Sequence, residues 1–252
     1  GRGQWIALVH GQGPLTPANG FADQGEVLVK TRQASDLLGA TKMDRPEWIA
    51  VDAARGEVYC TLTNTSNRGK DKNPGPDAAN PRVDNSMGNI IRWKDEGDFS
   101  GTSFVWNHFV LAGDPANTRP EAKGSVKGDA FGSPDGLWID ARGMLWIQTD
   151  ASTSAMGKGD YATLGNNMML AADTATGEIR RFLTGPSGCE VTGATGTPDG
   201  RTMFVNIQHP GESPSERSDP AEVTRYSSWP DGGRPRSATV GIRRRGGGGG
   251  GS

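Results

Sequence analysis

Pro46-Glu47-Trp48-Ile49-Ala50-Val51-Asp52-Ala53-Ala54-Arg55-Gly56 runs into Glu57-Val58-Tyr59-Cys60, and Pro134-Asp135-Gly136-Leu137-Trp138-Ile139-Asp140-Ala141-Arg142-Gly143 runs into Met144-Leu145-Trp146-Ile147. The two stretches read almost alike, each as a β-hairpin closed by a Gly-containing turn. A looser third copy begins at Cys189-Glu190-Val191, turns at Pro198-Asp199-Gly200 and leaves through Met203-Phe204-Val205. Repetition on this scale marks a blade architecture, so the expected fold is an all-β propeller of four-stranded blades. In such a fold the first strand of each blade lines a central channel. Glu47, Asp135 and Glu190, one at the head of each copy, would then converge on the axis.

Working outward, each of the first two hairpins is followed by a polar loop and a second hairpin. In the first repeat, loop 64–89 leads to strands at Ile90-Ile91-Arg92-Trp93 and Phe104-Val105-Trp106. In the second, loop 150–167 leads to Met168-Met169-Leu170-Ala171 and Ile179-Arg180-Arg181-Phe182, with the outer turn at Asp173-Thr174-Ala175-Thr176-Gly177. The third repeat supplies its hairpin and one last strand at Ala238-Thr239-Val240-Gly241-Ile242. That makes an incomplete arc of about two and a half blades, against the typical 4–8 of a closed propeller. Residues 1–242 are expected to be this partial propeller, the C-terminal blades of a larger one. The arc would leave sheet faces to be covered by missing N-terminal blades or by a second chain. Ahead of the repeats, Gln4-Trp5-Ile6-Ala7-Leu8-Val9 reads as a strand and residues 31–39 as a short helix stopped by Gly39. Residues 243–252 read as an Arg/Gly-rich flexible tail.

The composition agrees with short strands and many turns. The chain has 252 residues, of which 38 are Gly and 16 Pro, and seven Trp supply apolar bulk to a core poor in Leu and Phe. Its formal net charge of −2 offers no basic field for nucleic acid. No apolar run approaches the roughly 18–20 residues of a membrane span. No signal peptide opens the chain, which implies either a cytosolic protein or an absent beginning. Cys60 and Cys189 lack a CxxC partner and read as buried free thiols, with a disulfide as the alternative.

The candidate chemistry rests on oxygen donors. Carboxylates from different repeats can supply the several oxygen ligands that a hard cation such as Ca²⁺ takes. The competing reading of Glu47, Asp135 and Glu190 is that of solvated turn acids. Arg45 shares a face with Glu47, two residues on, and a guanidinium beside metal-bound carboxylates is a natural fork for phosphate oxygens. A plain salt bridge to Asp44 or Glu47 is its alternative. Asn64, Asn67, Asp84, Asn85, Asp150 and Asn166 are further oxygen donors in the loops after the hairpins, and His209 and Glu212 stand in a comparable place in the third repeat. No Ser-His-Asp order, GxSxG elbow or P-loop is present.

Arg45-Pro46-Glu47-Trp48-Ile49-Ala50-Val51, Gly56-Glu57-Val58-Tyr59-Cys60-Thr61-Leu62-Thr63-Asn64, Ser133-Pro134-Asp135-Gly136-Leu137-Trp138, Gly188-Cys189-Glu190-Val191-Thr192-Gly193 and Phe204-Val205-Asn206-Ile207-Gln208-His209-Pro210-Gly211-Glu212 together resemble the C-terminal half of the PhoX-type alkaline phosphatases. The resemblance implies a six-bladed parent exported to the periplasm or outside, and hydrolysis of phosphate monoesters with calcium and iron (Ca²⁺ and Fe³⁺). It implies Glu47 as an iron ligand, Arg45 as a contact to the phosphate, and Asp135 and Glu190 as further acidic ligands. The family's N-terminal half, with its export signal and metal-binding Cys, has no counterpart here, so this chain is expected to be an incomplete enzyme. Two other readings remain at this stage: a calcium-dependent lactonase-like propeller, and a non-catalytic binding propeller.

Overall fold

The computed structural model describes residues 1–214 and 219–243, and its regular secondary structure is mostly β-strand, joined by long loops. Strand β1 (Arg2–Gln4) is followed by two short helices, α1 (Gln24–Val29) and α2 (Thr31–Leu37). Next come β2 (Pro46–Asp52), β3 (Glu57–Leu62), β4 (Asn89–Asp95) and β5 (Ser103–Leu111). The second repeat holds β6 (Lys127–Gly128), β7 (Pro134–Ile139), β8 (Met144–Thr149), β9 (Met168–Asp173) and β10 (Glu178–Thr184). The third holds β11 (Glu190–Gly196), β12 (Thr202–Gln208) and β13 (Ala238–Arg243). These form three separate sheets, in the orders β1-β5-β4-β3-β2, β6-β10-β9-β8-β7 and β11-β12-β13.

Each sheet contains an antiparallel meander that begins with one of the three repeated hairpins. The turns share a mechanism. Asp52 accepts from the Arg55 N–H, Asp140 from those of Arg142 and Met144, and Asp199 from that of Arg201. Gly56, Gly143 and Gly200 take the left-handed conformation that completes each turn. Asp140 also receives the Trp146 indole N–H at 3.2 Å, so one largely buried carboxylate serves three donors. Asp140→Ala is therefore expected to destabilise the chain by about 1–3 kcal/mol, read from urea unfolding. A change within a few tenths would show that the turn holds without it.

Two expectations need correction. The first two sheets have five strands, not four, because β1 adds antiparallel to β5 and β6 adds parallel to β10. The strand expected at residues 4–9 ends at Gln4, where pairing with β5 runs out at Ser103. Trp5 instead packs its ring on Trp93 and Phe104 and donates its indole N–H to Asp95. The helix expected at 31–39 is α2, and α1 precedes it. Arg243 belongs to β13, its guanidinium donating to Thr202; the rest of the expected tail lies outside the described residues.

Two cores join the sheets. Tyr59, Ile90 and Val110 of the first sheet meet Leu137, Leu145, Ile147, Met168 and Leu170 of the second. Trp146 and Met169 of the second meet Val191, Val205 and Ile207 of the third. Complementary substitutions let the repeats differ locally. Where the Trp48 N–H of the first hairpin bonds the Thr61 hydroxyl, the second has Gly136 beside Gln148, and a Cβ at Gly136 would collide with that amide. A groove of about 710 Å³ runs between the helical segment and the outer face of the first sheet, lined by Trp5, Ile49, Trp93 and Phe104 among others. It is apolar and carries none of the candidate acids.

Candidate active site

The site is set by the backbone at the head of each repeat. Arg45 has φ 53°, Ser133 has φ 52° and Gly188 has φ 65°, each in the left-handed region immediately before the repeated hairpin begins. For a non-glycine residue that conformation costs roughly 1–2 kcal/mol, so something must hold Arg45 and Ser133 there. In the first two repeats a β-bulge follows at once. Pairing jumps from Pro46↔Leu62 to Ile49↔Cys60, and from Pro134↔Thr149 to Leu137↔Ile147. Glu47 and Asp135 therefore sit in bulges, which re-aim side chains away from the regular pleat. Glu190 differs: it pairs in register with Gln208, and its strand bulges later, between Thr192 and Ala194.

Strand β7 packs against both β2 and β11, which lines up the three acid-bearing ends. Side chains lock that alignment. The Thr61 hydroxyl donates to the Asp135 carbonyl at 2.7 Å and accepts from the Trp48 N–H at 3.0 Å, tying the first sheet to the second. Asn64 spans the same gap, accepting from the Arg45 guanidinium at 3.0 Å and donating to the Ser133 hydroxyl at 2.9 Å. Arg45 also reaches the Glu47 carboxylate at 3.1 Å. The simple salt bridge weighed from the sequence is thus present with Glu47, while Asp44 is engaged elsewhere.

The acids feel one another. Burial pushes the Asp135 carboxyl up to about 7, with added repulsion from Glu190, Asp150 and Glu47. The Glu190 side chain acts on Asp135 both by charge and as a hydrogen-bonding neighbour, each in the upward sense. Asp150, whose N–H bonds the Ser133 carbonyl, is shifted upward as well, chiefly by burial and then by Glu190; Arg45 and His209 act in the opposite sense. Glu190 accepts from the Gln208 amide at 2.8 Å, and His209 Nε2 lies 3.5 Å from the same carboxylate. His209 Nδ1 faces Glu212 at 3.8 Å, and its own backbone is left-handed, at φ 37°.

Glu47, Asp135 and Glu190 are accordingly brought within electrostatic reach of one another, with Arg45 on the same rim. Asp150, His209 and Glu212 join them from the loops. Asn67 and Asn85 do not: Asn67 bonds within its own loop, and Asn85 is buried against Asp44 and Asn89. Asp84 pairs with Lys70 and Arg119. Thr61, Ser133 and Gln208 were not singled out from the sequence. Laying the repeats over one another could have found Ser133, which occupies the position of Arg45.

Apart from the His209 imidazole, the clustered donors are carboxylate oxygens, hard ligands suited in kind to a cation such as calcium. Among the described residues, no group of three or more His, Cys, Asp or Glu side chains is arranged to hold a metal ion as it stands. The two cysteines take no part. Both are free and buried, and burial pushes the thiols up to about 11 for Cys60 and about 12 for Cys189, which makes them unreactive at neutral pH.

Comparison with known proteins places this arrangement. The PhoX of Pseudomonas fluorescens, solved in complex with vanadate, a transition state analogue, is 46% identical and superposes with a TM-score of 0.84, over 97% of this chain and 41% of that one. This chain thus spans about two fifths of that protein's length. A gluconolactonase from Xanthomonas campestris is 17% identical over 66% of this chain and 35% of its own, with a TM-score of 0.36, too low to carry an argument. No curated protein gives a significant match. The sequence profile described as "Alkaline phosphatase PhoX" matches residues 1–211, the stretch that contains Arg45 and all the clustered acids except Glu212, and the chain therefore belongs to the PhoX alkaline phosphatase family.

Proposed function

We propose that this chain carries part of the active site of a metal-dependent alkaline phosphatase acting on phosphate monoesters. The observation that carries the reading is the meeting of Glu47, Asp135, Asp150 and Glu190 with the Arg45 guanidinium at one end of three sheets. The P. fluorescens relative, solved with vanadate as a transition state analogue, supports a phosphoryl-transfer reading. In this proposal the three sheets are successive blades of a six-bladed propeller, residues 1–242 are one unit of it, and the ring is closed by preceding blades or a second chain. The parent would work in the periplasm or outside the cell. No helix is long and apolar enough to cross a membrane among the described residues.

Glu47, Asp135 and Glu190 would hold calcium and iron, Glu47 serving the iron, with Asp150 as a further oxygen donor. When bound, these cations would neutralise charge on phosphoryl oxygens and acidify water so that it attacks at neutral pH. The chain's own residues do the positioning. Asn64 and Glu47 each take one end of the Arg45 guanidinium, fixing its plane and leaving its remaining N–H groups for two oxygens of a phosphate. The Thr61 and Asn64 cross-links hold the two acid-bearing strands in register while charge develops between them. Preorganised donors of this kind act on the transition state without reorganising.

The test is hydrolysis of p-nitrophenyl phosphate with calcium and iron supplied, beside Glu47→Ala and Arg45→Ala. Each substitution is expected to reduce turnover by about 100-fold or more, in line with the loss of a preorganised charge-stabilising group. Turnover that survives both would overturn the assignment. Absence of turnover in every form would confine this chain to a partial site that needs the rest of the ring.

A further inference from the structure

Arg45 adopts a strained conformation that its own sequence does not favour, and the structure assigns the holding of it to loop 64–89, through Asp44, Arg68 and Asn80. Arg68 and Asn80 hold Lys42 and Asp44, just before the turn, from several directions. The Asp44 N–H donates to the Asn80 side-chain oxygen at 3.0 Å. The Asp44 carboxylate accepts from Arg68 Nε at 2.6 Å and from the Asn85 amide at 3.1 Å. Arg68 and the Asn80 amide both donate to the Lys42 carbonyl, at 2.7 and 2.9 Å. Arg68 is itself pinned by the Gly75 carbonyl at 2.8 Å and Asp77 at 3.4 Å.

The grip is buried. Asp44, Arg68 and Asn80 are each at most 4% exposed, whereas the Arg45 side chain is about half exposed. Residue 44 thus has its carboxylate and its N–H fixed, while on the other side Thr63 N–H bonds the Arg45 carbonyl at 3.1 Å. Between these two fixed peptides residue 45 closes the chain in its left-handed conformation, and from there its guanidinium reaches Asn64 and Glu47. A glycine would take the conformation freely but would bring no guanidinium. Arg68 and Asn80 are therefore positioning residues for Arg45. They touch no substrate; they make an arginine tolerable where the backbone prefers glycine.

The consequence for phosphate binding rests on the reading of Arg45 as the phosphate contact, and the experiment separates the two. Arg68→Lys and Asn80→Ala are compared with Arg82→Lys, a control that disturbs another buried arginine, one bonded to the Gly88 and Ala112 carbonyls and not to residues 42–45. The first readout needs no ligand: the backbone carbon chemical shifts of residue 45, which report its left-handed state. They are expected to move toward averaged values in Arg68→Lys and Asn80→Ala, and to stay in Arg82→Lys at a matched loss of thermal stability. Unmoved shifts in folded Arg68→Lys and Asn80→Ala would overturn the inference.

The second readout is titration of the calcium-loaded chain with inorganic phosphate. Arg68→Lys is expected to weaken binding about tenfold, the equivalent of about 1.4 kcal/mol. In an Arg45→Gln background it should weaken binding no further, although it still lowers stability. That non-additivity is what a merely structural role would not produce. If Arg45→Gln leaves phosphate affinity unchanged, or the chain binds no phosphate, the phosphate reading fails while the shifts of residue 45 still decide the lock. If Arg45→Gln weakens binding and Arg68→Lys weakens it equally with or without Arg45, the lock fails and the phosphate reading stands.

Discussion

Replacing Arg68 by methionine is expected to lower the unfolding free energy by about 3–5 kcal/mol, among the largest effects available to a single substitution in this chain. Arg68 and Asp44 form an ion pair at 2.6 Å in which each side chain is only 3% exposed. Two charges withdrawn from water attract strongly, but the attraction mostly offsets what desolvation removes, so the pair itself contributes little net stability. Removing one partner is different, because it strands the other. In Arg68→Met the Asp44 carboxylate keeps one amide donor, from Asn85, and loses its counter-charge, while the Lys42 and Gly75 carbonyls each lose a donor. Urea unfolding of the single variant, of Asp44→Leu and of the double variant reads the balance. The double is expected to recover a substantial part of the loss, since no unpaired charge remains. A single-variant loss below about 1 kcal/mol would mean that water reaches the pair.

The meander and its turns were legible because period-two alternation and Asp/Gly turn chemistry are local properties. The strands at 46–52, 57–62, 134–139 and 144–149 could be read from two near-identical stretches. Glu47, Asp135 and Glu190 were legible for the same reason, as the same position in three copies. What stayed hidden was whatever depends on residues far apart in the chain. Asp44 and Arg68 are separated by 24 positions in sequence, and nothing in a polar loop rich in Asn, Asp and Pro announces that Arg68 is buried. The edge strands β1 and β6 are too short to show a pattern, and they form only because an outer strand offers open hydrogen-bonding groups. Asp150 was visible as a loop oxygen donor. Its place beside Glu190 follows from a bond between its N–H and the Ser133 carbonyl that joins the two sides of the second hairpin.

Asp135→Asn is expected to stabilise the metal-free chain above neutral pH by about 2–4 kcal/mol and to change it little near pH 4. An unfolded Asp titrates near 3.9, whereas in the folded chain burial and the neighbouring acids push Asp135 up to about 7. Between those values the native state keeps a proton that the unfolded state has released. Stability therefore falls as pH rises from about 4 to about 7, and levels off once both states have lost the proton. The sign is opposite to that of a salt-bridged carboxylate such as Asp52, which Arg55 helps to hold below its usual value and which gives up stability as pH falls. Comparing wild type with Asp135→Asn across pH, in the presence of a chelator, cancels the other groups. A rise from 3.9 to about 7 would correspond to about 4 kcal/mol, and partial exposure to solvent reduces it. Calcium sharpens the test, because a cation can replace the proton as the charge that lets Asp135, Glu190 and Asp150 stand together. Its stabilising effect should be larger at pH 8 than at pH 5 in the wild type, and largely absent in Asp135→Asn. Equal stabilisation of both forms would place the bound calcium elsewhere. The same repulsion that makes this end of the sheets unfavourable when metal-free is what would draw a cation into it.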